Sequence, residues 1–474
     1  MLLFKKSFKA INMKLIIKTF SFFALFLFAS ACNKNLTVLP QNSITPDQIK
    51  TGSDAEALLG GAYELLQSTG AFGEQFILIP DLIAGQNQVN FIGTFPGYAD
   101  FVKQTVGSTN GPAQNIWQNS YDLINTVNVV IDKSGLITDG TKDTVIGEAE
   151  FIRGIVYFEL VNLYSQPYSA GNTATSLGVP LMVQPVYSVD PISKYYVARA
   201  TIDQIYNQVI IDLQDAASKL PKTNGTNANH YAAEAILSRV YMAMGNYGEA
   251  VTMANDVIKS KQYILTPSFA GVFNNLAYSS EDIFGILQTV QSNAGTSNGG
   301  LTTFYDAEST DFPLASQGGR GDAVVDNGYS NIFQGTDFRK TFFYTGSSIE
   351  GETHTYPQKW MQFYKTIPVV RLAEMYLTRG EANLLAGTSV GAKPLEDINT
   401  VRARSQAAAL TSVKSSDFVD ERFRELGFEG DRLWTLKRSK LNVSGLPYND
   451  PKLVLPIPLT EMDVNPKLVQ NPGY

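Results

Sequence analysis

The sequence predicts a mainly α protein: a tetratricopeptide-like scaffold of about four helix pairs, with long loops and a few short strands. Three observations lead there. In residues 232–260, Leu237, Tyr241, Gly245, Tyr247, Ala250 and Ala254 stand where a helix–turn–helix repeat places its packing residues. A looser copy spans 369–386 and 393–408, joined by 387–392. Between them, 264–368 is rich in Gly, Ser, Asn and Phe and short of helical periodicity. Helix pairs this small cannot bury their own apolar faces, so they stack into a short solenoid. Loops held on such a scaffold are where binding resides.

The N-terminus reads as an address. Lys5, Lys6, Lys9, Lys14 and Lys18 lead into an apolar run at 19–31, too short to span a membrane, and then Ala29-Ser30-Ala31-Cys32. An ordinary signal peptide cut near Ala31 fits this pattern. So does a lipobox, because the only cysteine of the chain sits directly behind the small residues. Met13 is a second workable start. The expected organisation is a signal at 1–31, an anchor and tether at 32–53, and one compact body at 54–474. That body divides into 54–260 with the first repeats, a loop-rich 261–368, and 369–474.

Along the body, Ala55, Leu58, Leu59, Ala62 and Leu66 predict a first helix over 54–67. Residues 72–111 mix Gly, amides and aromatics and read as a loop region with exposed rings. Positions 117, 121, 124, 128 and 131 carry a helix over 113–134. Phe151, Ile155 and Phe158 mark another over 147–164. Thr201 caps a helix that Pro221 stops. Residues 283–290 predict a strand, and the rest of 264–368 reads as loop.

Composition excludes several classes. Hydrophobic residues make up 44%, with 38 Gly and 21 Pro, which rules out a disordered or coiled-coil chain. The net charge is −7, and the first 31 residues hold five lysines and no acid, so the remainder is more acidic still. Such a body has no electrostatic footprint for nucleic acid. One cysteine permits no intrachain disulfide, and His230 and His354 alone leave little for metal or acid–base chemistry.

Several motifs resemble one family. They are Trp117-x-x-x-Tyr121-x-x-Ile124-x-x-x-Asn128, Glu148-Ala149-Glu150-Phe151-Ile152-Arg153, Gly178-Val179-Pro180-Leu181, and Asp212-Leu213 running on to Leu220-Pro221. Glu421-Arg422, Glu425-Leu426, Glu429-Gly430 and Arg432 follow, then the ending Gln470-Asn471-Pro472-Gly473-Tyr474. In this order behind Cys32, they resemble the SusD/RagB nutrient-binding lipoproteins of the Bacteroidetes outer membrane. The resemblance implies a binder without catalytic residues, cofactor or metal. It would be acylated at Cys32 and held on the outer membrane facing the cell exterior. There it would capture an oligosaccharide or polysaccharide and deliver it to a SusC-like TonB-dependent transporter. After Cys32 the chain reads Asn33-Lys34-Asn35, without the acidic run that often accompanies surface export. A binder of peptides or another nutrient, a structural lid and a surface glycoside hydrolase are the alternatives.

The hydrolase reading has two footholds. Gly295-Thr296-Ser297-Asn298-Gly299 fits G-x-S-x-G with His354 downstream, but Gly299-Gly300-Leu301 reads as no helix start. Glu421 and Glu425 share a helix face, interleaved with Arg422 and Arg432, which reads as a buried or semi-buried ion network tying the last helix down. Separately, Asp306, Glu308 and Asp311 offer oxygen ligands for Ca²⁺, but they lack an EF-hand's glycine and terminal Glu and read as a solvated loop.

Sugar binding asks for flat apolar rings beside polar forks. Trp117, Trp360 and Trp434 fall in or beside scaffold motifs and read as core. The candidate ligand residues are therefore Asn90, Phe91, Phe95 and Tyr98 from the first loop region. Tyr305, Phe312, Gln317, Arg320 and Tyr329 come from the second.

Overall fold

The computed structural model describes residues 48–85, 87–187, 191–295, 298–308 and 318–474. The expected signal, Cys32 and most of the tether lie outside the described residues, as do Phe312 and Gln317. Residues Ile49–Tyr474 form one compact unit. Fourteen α-helices and eight strands of three to five residues are found among the described residues, so the fold is mainly α.

The first helix, α1 (Gly52–Gln67), begins two residues before the expected position because its cap is Thr51. The Thr51 hydroxyl accepts from the Asp54 amide at 3.2 Å, and the Asp54 carboxylate accepts from the Thr51 amide at 2.8 Å. Ala55, Leu59, Ala62 and Leu66 form its buried stripe. Residues 72–111 correct the loop reading. They hold α2 (Gln75–Ala84), β1 (Val89–Phe91) and α3 (Tyr98–Lys103), and Phe72 and Phe76 are buried. All ten residues of α2 are buried, including Pro80. A helix apolar on every side has no 3.6-residue contrast to reveal it, and a proline normally argues against one.

The scaffold helices fall close to where periodicity places them: α4 (Gly111–Lys133), α5 (Lys142–Tyr164), α6 (Ile202–Lys219), α7 (His230–Met244) and α8 (Tyr247–Ser260). Helix α1 packs on α4, and from α4 to α8 each helix packs on the next. Gly245 ends α7 at φ +76°, a left-handed conformation that glycine adopts without Cβ strain, and its amide closes the last turn. Ala250 and Ala254 are fully buried where α8 approaches α7. Three motif residues form one buried chain across α4, α5 and α6. Arg153 donates to Asn128 at 2.8 Å and forks onto Asp212 at 2.9 and 2.6 Å. Asn128 in turn donates to the Met182 carbonyl just beyond β2 (Leu177–Pro180), which pairs with β3 (Arg199–Thr201).

The 261–368 region contains more structure than expected. The strand β4 (Asp282–Ile286) stops short of Val290. A short helix, α9 (Leu301–Tyr305), begins directly after Gly300, where the sequence reading denied a helix start. Then come β5 (Ala323–Val325), the hairpin β6 (Phe343–Ser347) and β7 (Thr353–Pro357), and β8 (Ile367–Arg371). β4 pairs with β8 and β1 with β5, both antiparallel. These strands are too short for alternation to register, and their partners are distant in sequence.

The chain then re-enters the scaffold with α10 (Leu372–Ala386), α11 (Pro394–Arg404), α12 (Ser415–Glu425), α13 (Asp431–Arg438) and α14 (Leu459–Val464). Helix α10 packs on α8, α11 and α12, while α13 packs on α2 and α7. No helix among the described residues is long and apolar enough to cross a membrane.

Where the insertion meets α12, a buried ion network forms. Glu425 receives Arg339 at 2.9 Å, Arg371 at 2.6 Å and Arg404. Arg371 also binds Glu429 at 2.9 Å, and Glu429 receives Lys359 at 2.5 Å. Glu421 receives Arg339 at 2.7 Å and Arg402 at 2.6 Å. The carboxylates are the expected ones, but the guanidiniums are not Arg422 and Arg432; of the arginines interleaved in sequence only Arg424 joins, 3.3 Å from Glu421. Arg422 turns instead to Asp431 at 2.7 Å, and Arg432 stacks 3.6 Å from the Phe423 ring centroid. Burial alone would raise the Glu425 carboxyl; Arg404, Arg371 and Arg339 outweigh it and hold it well below the usual carboxylate range. Replacing Glu425 with Ala leaves three guanidiniums short of a partner and is expected to cost about 3–5 kcal/mol in urea unfolding. The pair of half-buried Lys219 with exposed Asp215 (3.5 Å) is the control: Asp215→Ala should change stability by less than about 1 kcal/mol.

Candidate functional site

The pairing of β1 with β5 stitches the two candidate loops together. Phe91 lies opposite Ala323 and Asn90 opposite Val324, so the first loop region lies against the residues that follow Arg320. Asn90 is exposed and its amide donates to Asp326 at 2.9 Å. Phe91 stacks on Tyr98 with centroids 5.6 Å apart and planes at 18°. Phe95 meets Tyr98 and Phe304 edge-on at 6.1 and 5.7 Å. The Arg320 guanidinium lies 5.1 Å from the Phe95 centroid, and its Nε donates to Asp322 at 2.9 Å. The two Nη groups of Arg320 make no hydrogen bond with any described residue. Phe91, Phe95 and Arg320 are half-buried, so this patch offers aromatic surface, an aliphatic and guanidinium stem, and free N–H donors. Ile349, 44% exposed, stands at its rim, where its amide donates to the Arg320 carbonyl at 2.8 Å.

Three candidates turn inward. Tyr98 is buried beneath Phe91, and its hydroxyl donates to Glu74. Tyr305 is fully buried and donates to Asp81 at 2.9 Å. Tyr329 is fully buried, donates to the Phe423 carbonyl at 2.7 Å, and meets Phe423 and Phe428 edge-on at 4.9 Å. The last two present no ring to a ligand, a correction to the loop-aromatic reading. Each hydroxyl finds a core acceptor, which makes burying the phenol favourable.

The other motifs resolve into local structure. Gly295 and Gly299 lie well beyond the end of β4, so no tight strand-to-helix elbow forms; residues 296 and 297 lie outside the described residues. His354 sits on β7 beside Glu352 at 3.4 Å. Asp306 is buried rather than solvated, accepting from the Tyr344 hydroxyl, while Glu308 is exposed and Asp311 lies outside the described residues. Among the described residues, no cluster of three or more His, Cys, Asp or Glu is arranged to hold a metal ion.

Two family models cover this architecture. One, described as "Starch-binding associating with outer membrane", matches residues 51–242, and the other, described as "SusD family", matches 206–450. The chain belongs to the SusD family. It is 23% identical to a SusD-like protein of Formosa agariphila over 94% of this chain and 97% of that one. It is 32% identical to the starch-binding protein SusD of Bacteroides thetaiotaomicron over 23% of this chain and 21% of that one. A crystal structure of a SusD superfamily protein from Bacteroides thetaiotaomicron superposes with a TM-score of 0.78 at 26% identity, over 89% of this chain and 100% of that one.

In this SusD family member, sequence reasoning passed over the residues that support the patch. Phe304 is the buried ring that Tyr98 and Phe95 both meet, at 4.8 and 5.7 Å. Glu74 accepts from Tyr98 and from the Gly300 amide at 2.8 Å, and Asp81 accepts from Tyr305, Gln88 and the Gly430 amide. An acid flanked by apolar residues in 72–84 is the only sequence signal for them. Burial pushes both carboxyls up to about 7, against the lowering effect of these donors. Both bind a proton more tightly in the folded chain than in the unfolded one. Their contribution is therefore full below the unfolded carboxylate pKa near 4 and is lost as pH rises through about 7. Between pH 5 and 8 the Glu74→Gln variant should lose less stability than the parent, by about 1–3 kcal/mol, in denaturant titrations at each pH.

Proposed function

We propose that this protein is a carbohydrate-binding lipoprotein of the outer membrane. It captures an oligosaccharide or polysaccharide at the Phe91–Phe95–Arg320 patch and passes it to a partner TonB-dependent transporter. The observation that carries this reading is the half-buried pair of rings, with the Arg320 guanidinium 5.1 Å from one of them. Pyranose C–H faces pack on such rings, and a guanidinium with free N–H groups satisfies hydroxyls that would be costly to bury unpaired. The family description of starch binding in association with the outer membrane supports the ligand class and the location. So does the starch binding for which the Bacteroides thetaiotaomicron relative is named. Anchoring by acyl chains on Cys32, with the body facing the exterior, follows from the resemblance. The protein acts as a binder and not as a hydrolase: the most tempting carboxylate pair, Glu421 and Glu425, is fully committed to arginines in the core.

Affinity electrophoresis of the purified protein in gels containing single polysaccharides tests this directly, with the same mixtures assayed for new reducing ends. One glycan should retard the protein without releasing ends. Phe95→Ala should weaken that retention by about five- to thirtyfold, or ~1–2 kcal/mol. Phe338→Ala, which removes a 56% exposed ring outside the patch, should leave it unchanged. Released reducing ends, or retention unaffected by Phe95→Ala, would sink the assignment.

A further inference from the structure

A second concavity lies in the scaffold and shares no lining residue with the loop patch. It is a cavity of about 70 Å³ among α2, α5, α6, α7 and α13, with room for about two waters or one molecule of two or three heavy atoms. Phe158, Tyr168 and Tyr206 form one continuous aromatic wall, with centroid separations of 6.0 and 4.8 Å, and the half-buried Trp434 adds a fourth ring.

The charged groups in the wall are engaged, with one exception. Arg239 forks onto Glu374 at 2.7 and 2.6 Å, Arg422 pairs with Asp431 at 2.7 Å, and Arg438 forks onto Glu381 at 2.6 and 2.7 Å. Lys437 gives its Nζ to the Leu453 carbonyl at 2.7 Å. Glu159 stands apart. It is 4% exposed, it lines the cavity, and one carboxylate oxygen is fully buried with no hydrogen-bond partner among the described residues. Burial pushes its carboxyl up to about 7, with Arg239 opposing and Glu374 adding to the rise. A buried carboxylate without a donor is costly, and aromatic faces attract cations.

We propose that this cavity binds a small organic ammonium ion, whose N–H groups donate to Glu159 and whose apolar body packs among Phe158, Tyr168, Tyr206 and Trp434. Both requirements come from the walls: the one charged group unpaired among the described residues is an acceptor able to carry negative charge, and the surface around it is aromatic. The assignment is independent of the carbohydrate reading.

Trp434 serves as the reporter, because Trp117 and Trp360 are buried outside this lining. The full-length protein is titrated with methylammonium chloride, small enough for about 70 Å³, and, in parallel, with methanol as its neutral counterpart, following tryptophan emission. Methylammonium should give a saturable change that Trp434→Phe abolishes, and methanol should bind at least about tenfold more weakly. Glu159→Gln should weaken the ammonium ion by about tenfold or more and leave methanol unaffected. No saturable change in the parent protein would mean that the cavity holds only water and would overturn the proposal. Equal binding of the ion and the alcohol would overturn it as well, a comparison that needs no variant to fold. Glycan retention measured on the same sample separates failure of this site from failure of the loop patch.

Discussion

The structure turns on one carboxylate. Glu425 projects from α12 into a space with no solvent, and three guanidiniums converge on it from segments far apart in sequence: Arg339 of the insertion, Arg371 at the start of α10, and Arg404 at the end of α11. A charge buried in this way is tolerable only when its partners are all present and well aimed. The network therefore demands that the insertion, α10, α11 and α12 occupy one mutual arrangement. Glu281 and Glu429 extend the same constraint to β4 and to the turn before α13. An apolar core of equal volume would hold these pieces together with less insistence on where each one lies.

The loop patch inherits its rigidity from that arrangement through α2. This fully buried helix packs on α13 and presents Asp81 to Tyr305, while Glu74, at its start, receives the hydroxyl of Tyr98. Tyr98 and Phe304 then form the floor on which Phe91 and Phe95 rest. Neutral carboxylic acids suit this role, because they hold a phenol without bringing an uncompensated charge into the core. The surface rings are thus the last members of a chain of contacts that begins on the scaffold, and a pre-set ring loses little freedom when a ligand packs on it.

Legibility in the sequence followed exposure contrast. Helices with one wet face, such as α1, α4 and α6, announced themselves by periodicity and by caps at Thr51 and Thr201. The Gly245 turn was equally plain, because only a few residue types accept φ +76°. Helix α2 was not, since burial on every side erases the pattern. Arg153 and Asp212 could be picked out as motif residues, but not as partners, because their contact crosses from α5 to α6. Among the candidate ligand residues, Phe95 and Arg320 meet at one surface while Tyr305 and Tyr329 do not. Nothing local separates these cases: each is an aromatic or a cation in a Gly- and Asn-rich segment.

The sequence by itself determined the class of scaffold, the position of most of its helices and the family, since these depend on local periodicity, capping and short ordered motifs. Only the tertiary structure decided which rings face outward, which arginine meets which carboxylate, and that Glu159 lines an aromatic cavity with one oxygen lacking a hydrogen-bond partner among the described residues. Those outcomes depend on residues brought together across hundreds of positions. Burial and pairing are properties of the packed chain rather than of any segment within it.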